Sequence, residues 1–155
     1  MPNWCENRFT VEGAKKDVQR FKQLAKPKAA QADADLSLAS LYPIPEGVYQ
    51  GVLGTEEAQR YGKNNWWDWC IKHWGTKWDA DATLTNEIPD FLVYKFESAW
   101  SPPVAWLTKV ARDFPCLRFT LIYDEPGIGF AGTAIAEQGK LIVDTCTMGD
   151  QLFPT

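Results

Sequence analysis

A chain of 155 residues, 45% hydrophobic and 23% charged, suits one domain that can bury a core without cross-links or metal staples. The formal net charge of −4 weighs against a dedicated nucleic-acid binder, which ordinarily carries a basic domain. No apolar run approaches the ~20 residues of a membrane span, and MPNWCENRF has neither the basic nor the apolar region of an export signal, so a cytoplasmic location is expected.

The first segment, Trp4 to Glu12, alternates Cys5, Asn7, Phe9 and Val11 against Trp4, Glu6, Arg8 and Thr10, which predicts a half-buried strand. Gly13 ends it. From Ala14 to Lys26, Val18, Phe21, Leu24 and Ala25 fall on one helical stripe, and Lys26-Pro27 closes the helix because proline disfavours α geometry in the residue before it. Residues 27–65 are irregular, with room for one short strand around Leu36 to Leu41 and a helical turn around Glu56 to Tyr61. Asn64 or Asn65 then caps a short helix through Trp74, so that 27–75 reads as one insertion packed on the domain. At ~100° per residue, Trp66, Trp67, Cys70, Ile71 and Trp74 share an arc that is expected to be buried, leaving Trp69 outside it beside His73.

Two strands follow, Lys77 to Thr85 and Phe91 to Trp100. The first divides into Trp78, Ala80, Ala82 and Leu84 against Lys77, Asp79, Asp81 and Thr83; the second is apolar on both faces apart from Lys95 and Glu97. Ser101-Pro102-Pro103 starts a helix with Val104, Leu107, Val110 and Ala111 on its stripe. Leu117 to Asp124 alternates as a further strand, and 128–137 with 140–146, joined at Gln138-Gly139, reads as a closing hairpin. The order gives an α+β fold with a ferredoxin-like, split βαβ core: an antiparallel sheet with two helices on one face, a long insertion after the first helix, and an extra C-terminal hairpin in a single domain spanning 1–155.

The motifs carry little chemistry. Gly127 to Gly132 matches GxGxxG, but a hairpin is expected after it, whereas the dinucleotide fingerprint needs a helix whose N-terminal amides meet the pyrophosphate; no cofactor is expected. Cys5, Cys70, Cys116 and Cys146 are scattered without a CxxC pair and read as four reduced core thiols, and the single histidine, His73, lacks companions for a zinc site. Asp79, Asp81 and Glu97 could share a polar sheet face and act as a paired-carboxylate or metal-dependent hydrolase with His73, or lie solvated beside Lys77, Lys95 and Arg118. The basic helix residues Lys15, Lys16, Arg20, Lys22 and Lys26 are interrupted by Asp17 and read as a solvated face. Residues 1–65 hold nine Lys/Arg against eight Asp/Glu and residues 66–155 seven against twelve; the acidic second part suits solubility or a basic partner, with solvated charge as the default explanation. Of eight tryptophans, Trp4, Trp78, Trp100 and Trp106 are assigned to the core or to element ends, and Trp69 to an exposed anchor.

Several phrases occur together: MPNWCEN at the start, Leu41 to Pro45 (LYPIP), Trp74 to Ala80 (WGTKWDA), Phe96 to Pro103 (FESAWSPP), and Tyr123 to Gly127 (YDEPG) followed by Phe130 and Gly132. In these the chain resembles the YubB ferredoxin-like family, a group of unknown function carried by bacteriophages and plasmids. The resemblance implies a ferredoxin-like core and a mobile-element origin, with no catalytic residues to carry over. The irregular insertion and surplus aromatics lead to the expected function, a non-catalytic accessory protein in a bacterial host cell that binds a host or element-encoded partner through the insertion, the Trp69/His73 rim and the adjacent sheet edge. Its partner is a macromolecule, a protein ahead of nucleic acid and no membrane, and counter-defence is one setting. The candidate contact residues are Trp69, His73, Lys77, Asp79, Asp81 and Glu97. The carboxylate hydrolase is one alternative, and a nucleic-acid module using the open sheet face is another. The oligomeric state stays open.

Overall fold

The computed structural model describes residues 2–28 and 33–148. Residues 29–32 of the expected insertion and the last residues of the expected 1–155 domain lie outside that range. Nine-residue β1 (Trp4–Glu12) is the centre of the sheet, and its burial alternates as the sequence predicts, with Cys5, Asn7, Phe9 and Val11 inward. It pairs antiparallel with β4 (Phe91–Ala99) on one side and β5 (Arg118–Glu125) on the other. Outside β4 lie β3 (Asp81–Ile88) and the two-residue β2 (Leu36–Ser37); outside β5 lie β6 (Phe130–Glu137) and β7 (Lys140–Met148). The full order is β2-β3-β4-β1-β5-β6-β7. The inner four strands have the ferredoxin-like arrangement, and the sheet is wider than core plus hairpin because β2 extends its other edge.

Helices α1 (Lys15–Ala25) and α5 (Val104–Asp113) cover the inner face. Their apolar stripes meet an aromatic cluster in which Phe9 stacks on Phe119 at 5.6 Å and meets Trp106 edge-on at 5.4 Å. Leu24 departs from the expected stripe and is exposed, because α1 buries only the arc of Val18, Phe21 and Ala25. Ser101 does not cap α5: Pro103 holds that position, and the Ser101 hydroxyl donates to the Gly75 carbonyl instead. The β6–β7 turn places Gln138 (φ 54°) and Gly139 (φ 78°) in the left-handed region, the paired conformation that matches the twist of a two-residue hairpin.

The insertion contributes α2 (Leu38–Leu41), α3 (Thr55–Tyr61) and α4 (Trp66–His73). Asn65 caps α4, its side chain accepting from the Asp68 amide at 2.9 Å. The expected face of α4 is corrected. Cys70 and Trp74 are buried and Trp66 and Trp69 pack against the core, while Trp67 and Ile71 are exposed. The helix is rotated toward Tyr42 and α5, so that Trp69 rather than Trp67 and Ile71 flanks the inward line of Trp66, Cys70 and Trp74.

Strand β3 also starts later than expected, at Asp81 rather than Lys77. Residues 77–80 leave the ladder because Asp79 is bonded to α2.

Candidate functional site

Asp79 is the first candidate to resolve. Its Oδ1 accepts from the Leu38 amide at 2.7 Å and the Ala80 amide at 2.8 Å, and its Oδ2 accepts from Ala39 at 3.3 Å. A carboxylate at a helix start satisfies amides that have no partner within the helix. Asp79 as a residue is exposed, but its carboxylate is turned in under α2, and that partial burial raises its proton affinity against the opposing pull of the amide bonds. Asp81 pairs with Ser37 at the start of β3, and Glu97 lies on the outer face of β4 opposite Glu6. Among the described residues no group of three or more His, Cys, Asp or Glu could hold a metal ion. Asp79 thus serves as a structural cap, and Glu97 lies apart from it on the open sheet face.

Trp69 and His73 do come together, one turn apart on α4 with ring centroids at 4.6 Å. They enclose Tyr42, which meets Trp69 edge-on at 5.1 Å and shares a hydrogen bond of 2.9 Å between its hydroxyl and His73 Nδ1. Trp69 also meets Trp74 edge-on at 5.6 Å. Trp69 is thus a partly buried clamp on the insertion and not the outward-pointing anchor expected from its spacing. Desolvation, with a smaller contribution from Lys72, holds the His73 pKa below its usual value. Lys77 places its ammonium 4.1 Å from the Trp78 ring centroid.

Besides Trp67 on α4, three further tryptophans are exposed. Trp4, Trp78 and Trp100 are 40%, 39% and 42% exposed, whereas Trp106 is fully buried. Trp4 begins β1 opposite Ala99, the Trp100 amide donates to the Asn3 carbonyl at 2.9 Å, and the Trp4 and Trp78 rings lie 6.1 Å apart. All three therefore stand at one end of the sheet. Trp4 and Trp100 stand at element ends as expected, but their exposure and that of Trp78 correct the expectation that they are buried structural residues. One signal was available: Trp4 falls on the polar phase of its strand, with Glu6, Arg8 and Thr10.

Beyond the tryptophans the open face carries Glu97, Glu6 and Asp124 in register across β4, β1 and β5. Lys95 and Arg8 lie directly opposite each other in the next row. A shallow depression of about 550 Å³ is lined there by Glu6, Arg8, Lys95, Glu97, Ile122 and Asp124.

The GxGxxG glycines have packing roles. Gly129 takes φ 95° in the turn before β6. A Cβ on Gly132 would lie 2.2 Å from the Thr145 carbonyl oxygen and 2.4 Å from the Tyr123 hydroxyl, so only glycine lets that ring cross β6. A strand follows, which offers no helix N-terminus to a pyrophosphate. Cys5 and Cys70 are buried and free, while Cys116 and Cys146 are free and exposed, a correction to their reading as core thiols. Cys116 follows Pro115 outside the strand, and Cys146 lies on β7 at the sheet edge.

A family model described as the ferredoxin-like domain in Api92-like protein matches residues 73–152, just over half of the chain. The chain belongs to that family. The crystal structure of protein api92 from Yersinia pseudotuberculosis is similar over 94% of this chain and 98% of its own, with a TM-score of 0.61 and 11% identity. At that identity the likeness concerns the fold. It extends through the insertion as well as the matched ferredoxin-like region. No curated protein matches the chain. Among the described residues, no helix is long and apolar enough to cross a membrane.

Proposed function

We propose that this protein is a non-catalytic accessory factor that binds a protein partner through the tryptophan-bearing end of its sheet. The observation that carries this reading is the exposure of Trp4, Trp78 and Trp100 together in a fold whose aromatic core is already complete. Large amphipathic rings supply much of the binding energy at protein interfaces, and clustered exposed aromatics mark such surfaces. The reading moves the contact surface away from Trp69 and His73, which brace the insertion. The position of Asp79 under α2 supports it over a carboxylate hydrolase. The likeness of WGTKWDA and FESAWSPP to the YubB family supports the remainder of the proposal. A phage or plasmid origin, action in the cytoplasm of a bacterial host, and a role such as counter-defence all belong to it.

The test is capture of partners from host lysate with the wild type and a Trp4→Ala/Trp78→Ala/Trp100→Ala variant, followed by affinity measurement with the purified partner. Loss of binding in a folded triple variant is expected. A partner bound equally well by both proteins would overturn the assignment of this surface.

A further inference from the structure

Trp100 is held in a conformation that tryptophan disfavours. Its φ is 70°, and the Ser101 amide donates to the Ala99 carbonyl at 2.9 Å, so the residue occupies the apex of a γ-turn of positive φ. That turn is rare and strained, and a bulky residue there is an outlier, whereas glycine enters the left-handed region without steric cost. The flanking backbone is tied down on every side. Trp100 N–H donates to Asn3 O at 2.9 Å, Ser98 Oγ to Ser101 O at 2.6 Å, Thr76 Oγ1 to Ala99 O at 2.8 Å, and Ser101 Oγ to Gly75 O. This network holds a ring that is 42% exposed, so the strain does not serve to fill the core.

We propose that Trp100 anchors a docking site for a cationic protein segment, one presenting arginine or lysine beside an apolar pocket that takes the indole. The proposal rests on the binding reading above and adds the partner's chemistry. Two features of this end of the molecule attract cations. Indole faces do so through their quadrupole, and Lys77 already lies 4.1 Å over Trp78. The carboxylates of Glu97, Glu6 and Asp124 stand side by side in the row next to Trp4, and none takes part in an ion pair among the described residues. Like charges opposite each other on neighbouring strands repel, and a guanidinium or ammonium laid across them relieves that repulsion while gaining charge-assisted hydrogen bonds. Lys95 and Arg8 lie one row further from the tryptophans, leaving the acidic row between them and the anchor. Phosphate-bearing ligands would meet these carboxylates first and be repelled.

The experiment uses fluorescence anisotropy with three labelled probes: a peptide alternating arginine and leucine, the same peptide with glutamate for arginine, and a single-stranded oligodeoxynucleotide. The proteins are the wild type, Trp100→Gly, and Glu6→Lys/Glu97→Lys. The arginine peptide is expected to bind the wild type and to weaken at least ~10-fold in each variant, as at interface anchors. The Trp100→Gly melting temperature should stay within ~4 °C of the wild type, because relief of the γ-turn offsets lost packing. The charge-reversal variant, altered only at exposed positions, keeps the test valid should Trp100→Gly fail to fold. Absence of arginine-peptide binding, or binding indifferent to both variants, overturns the proposal. Preference for the glutamate peptide or the oligonucleotide, lost in Trp100→Gly, would also overturn the cationic partner while leaving the tryptophan surface as a binding site.

Discussion

The indole N–H of Trp74 donates to the carbonyl of Tyr42 at 2.9 Å, tying the C-cap of α4 to the C-cap of α2. Trp106 makes the equivalent bond from α5, to the Leu38 carbonyl at 3.0 Å. Two buried tryptophans thus supply side-chain donors to this four-residue helix and its C-cap, the Leu38 carbonyl also accepting the Tyr42 amide at 2.9 Å. Trp74→Ala should leave both a cavity and an unpaired carbonyl and cost ~3–5 kcal/mol. Trp69→Ala, which loses edge contacts with Tyr42 and Trp74, should cost ~1–3 kcal/mol. Exposed Trp67→Ala should stay within about 0.5 kcal/mol. Urea melts of the three variants check the order, and an equal cost for Trp67 and Trp69 would contradict the observed rotation of α4.

Asp79 should behave as a cap. Removing its carboxylate by Asp79→Ala strands the amides of Leu38, Ala39 and Ala80, and about 2–3 kcal/mol of stability should be lost. Asp79→Asn keeps an oxygen that can accept from Leu38 and Ala80, and should recover more than half of that loss. If the two substitutions were equally damaging, the negative charge rather than hydrogen bonding would hold α2.

His73 should make stability depend on pH between the carboxylate range and neutrality. Its folded pKa lies below the usual value of 6.5 through desolvation and the nearby Lys72 ammonium. The unfolded chain therefore binds the proton more readily. The sign follows: the contribution is fully present above pH ~6.5, falls as pH drops through the folded value, and levels off below it. Chemical denaturation at pH 7.5 and 5.5 should show this decline in the wild type and a smaller one in His73→Gln. Equal declines would place the titration elsewhere.

The four thiols should separate into two kinetic classes. Burial pushes Cys5 and Cys70 up to about 12, leaving almost no thiolate at neutral pH. Cys116 and Cys146 are exposed. An aromatic disulfide reagent should therefore titrate two thiols rapidly in the native protein and all four after denaturation. Four fast thiols without denaturant would mean that the sheet end around Cys5 and the packing under α4 open readily.

Periodicity determined much of this protein. The alternation from Trp4 to Glu12 and from Leu117 to Asp124, the stripes around Val18–Phe21 and Leu107–Val110, and the Gln138-Gly139 turn together specify a ferredoxin-like sheet with a closing hairpin. These are local signals, because a strand or helix long enough to repeat its pattern reports its own buried face. The insertion repeats nothing. The face of α4 was decided by Tyr42, 27 positions before Trp69, and Asp79 by amides some 40 positions earlier, contacts that no local period encodes. The tryptophans follow the same division. Trp4 was marked as outward by its strand, but the exposure of Trp78 and Trp100 depended on where β3 starts and on a γ-turn held by Asn3, Gly75 and Ser98, residues that only the folded chain brings together.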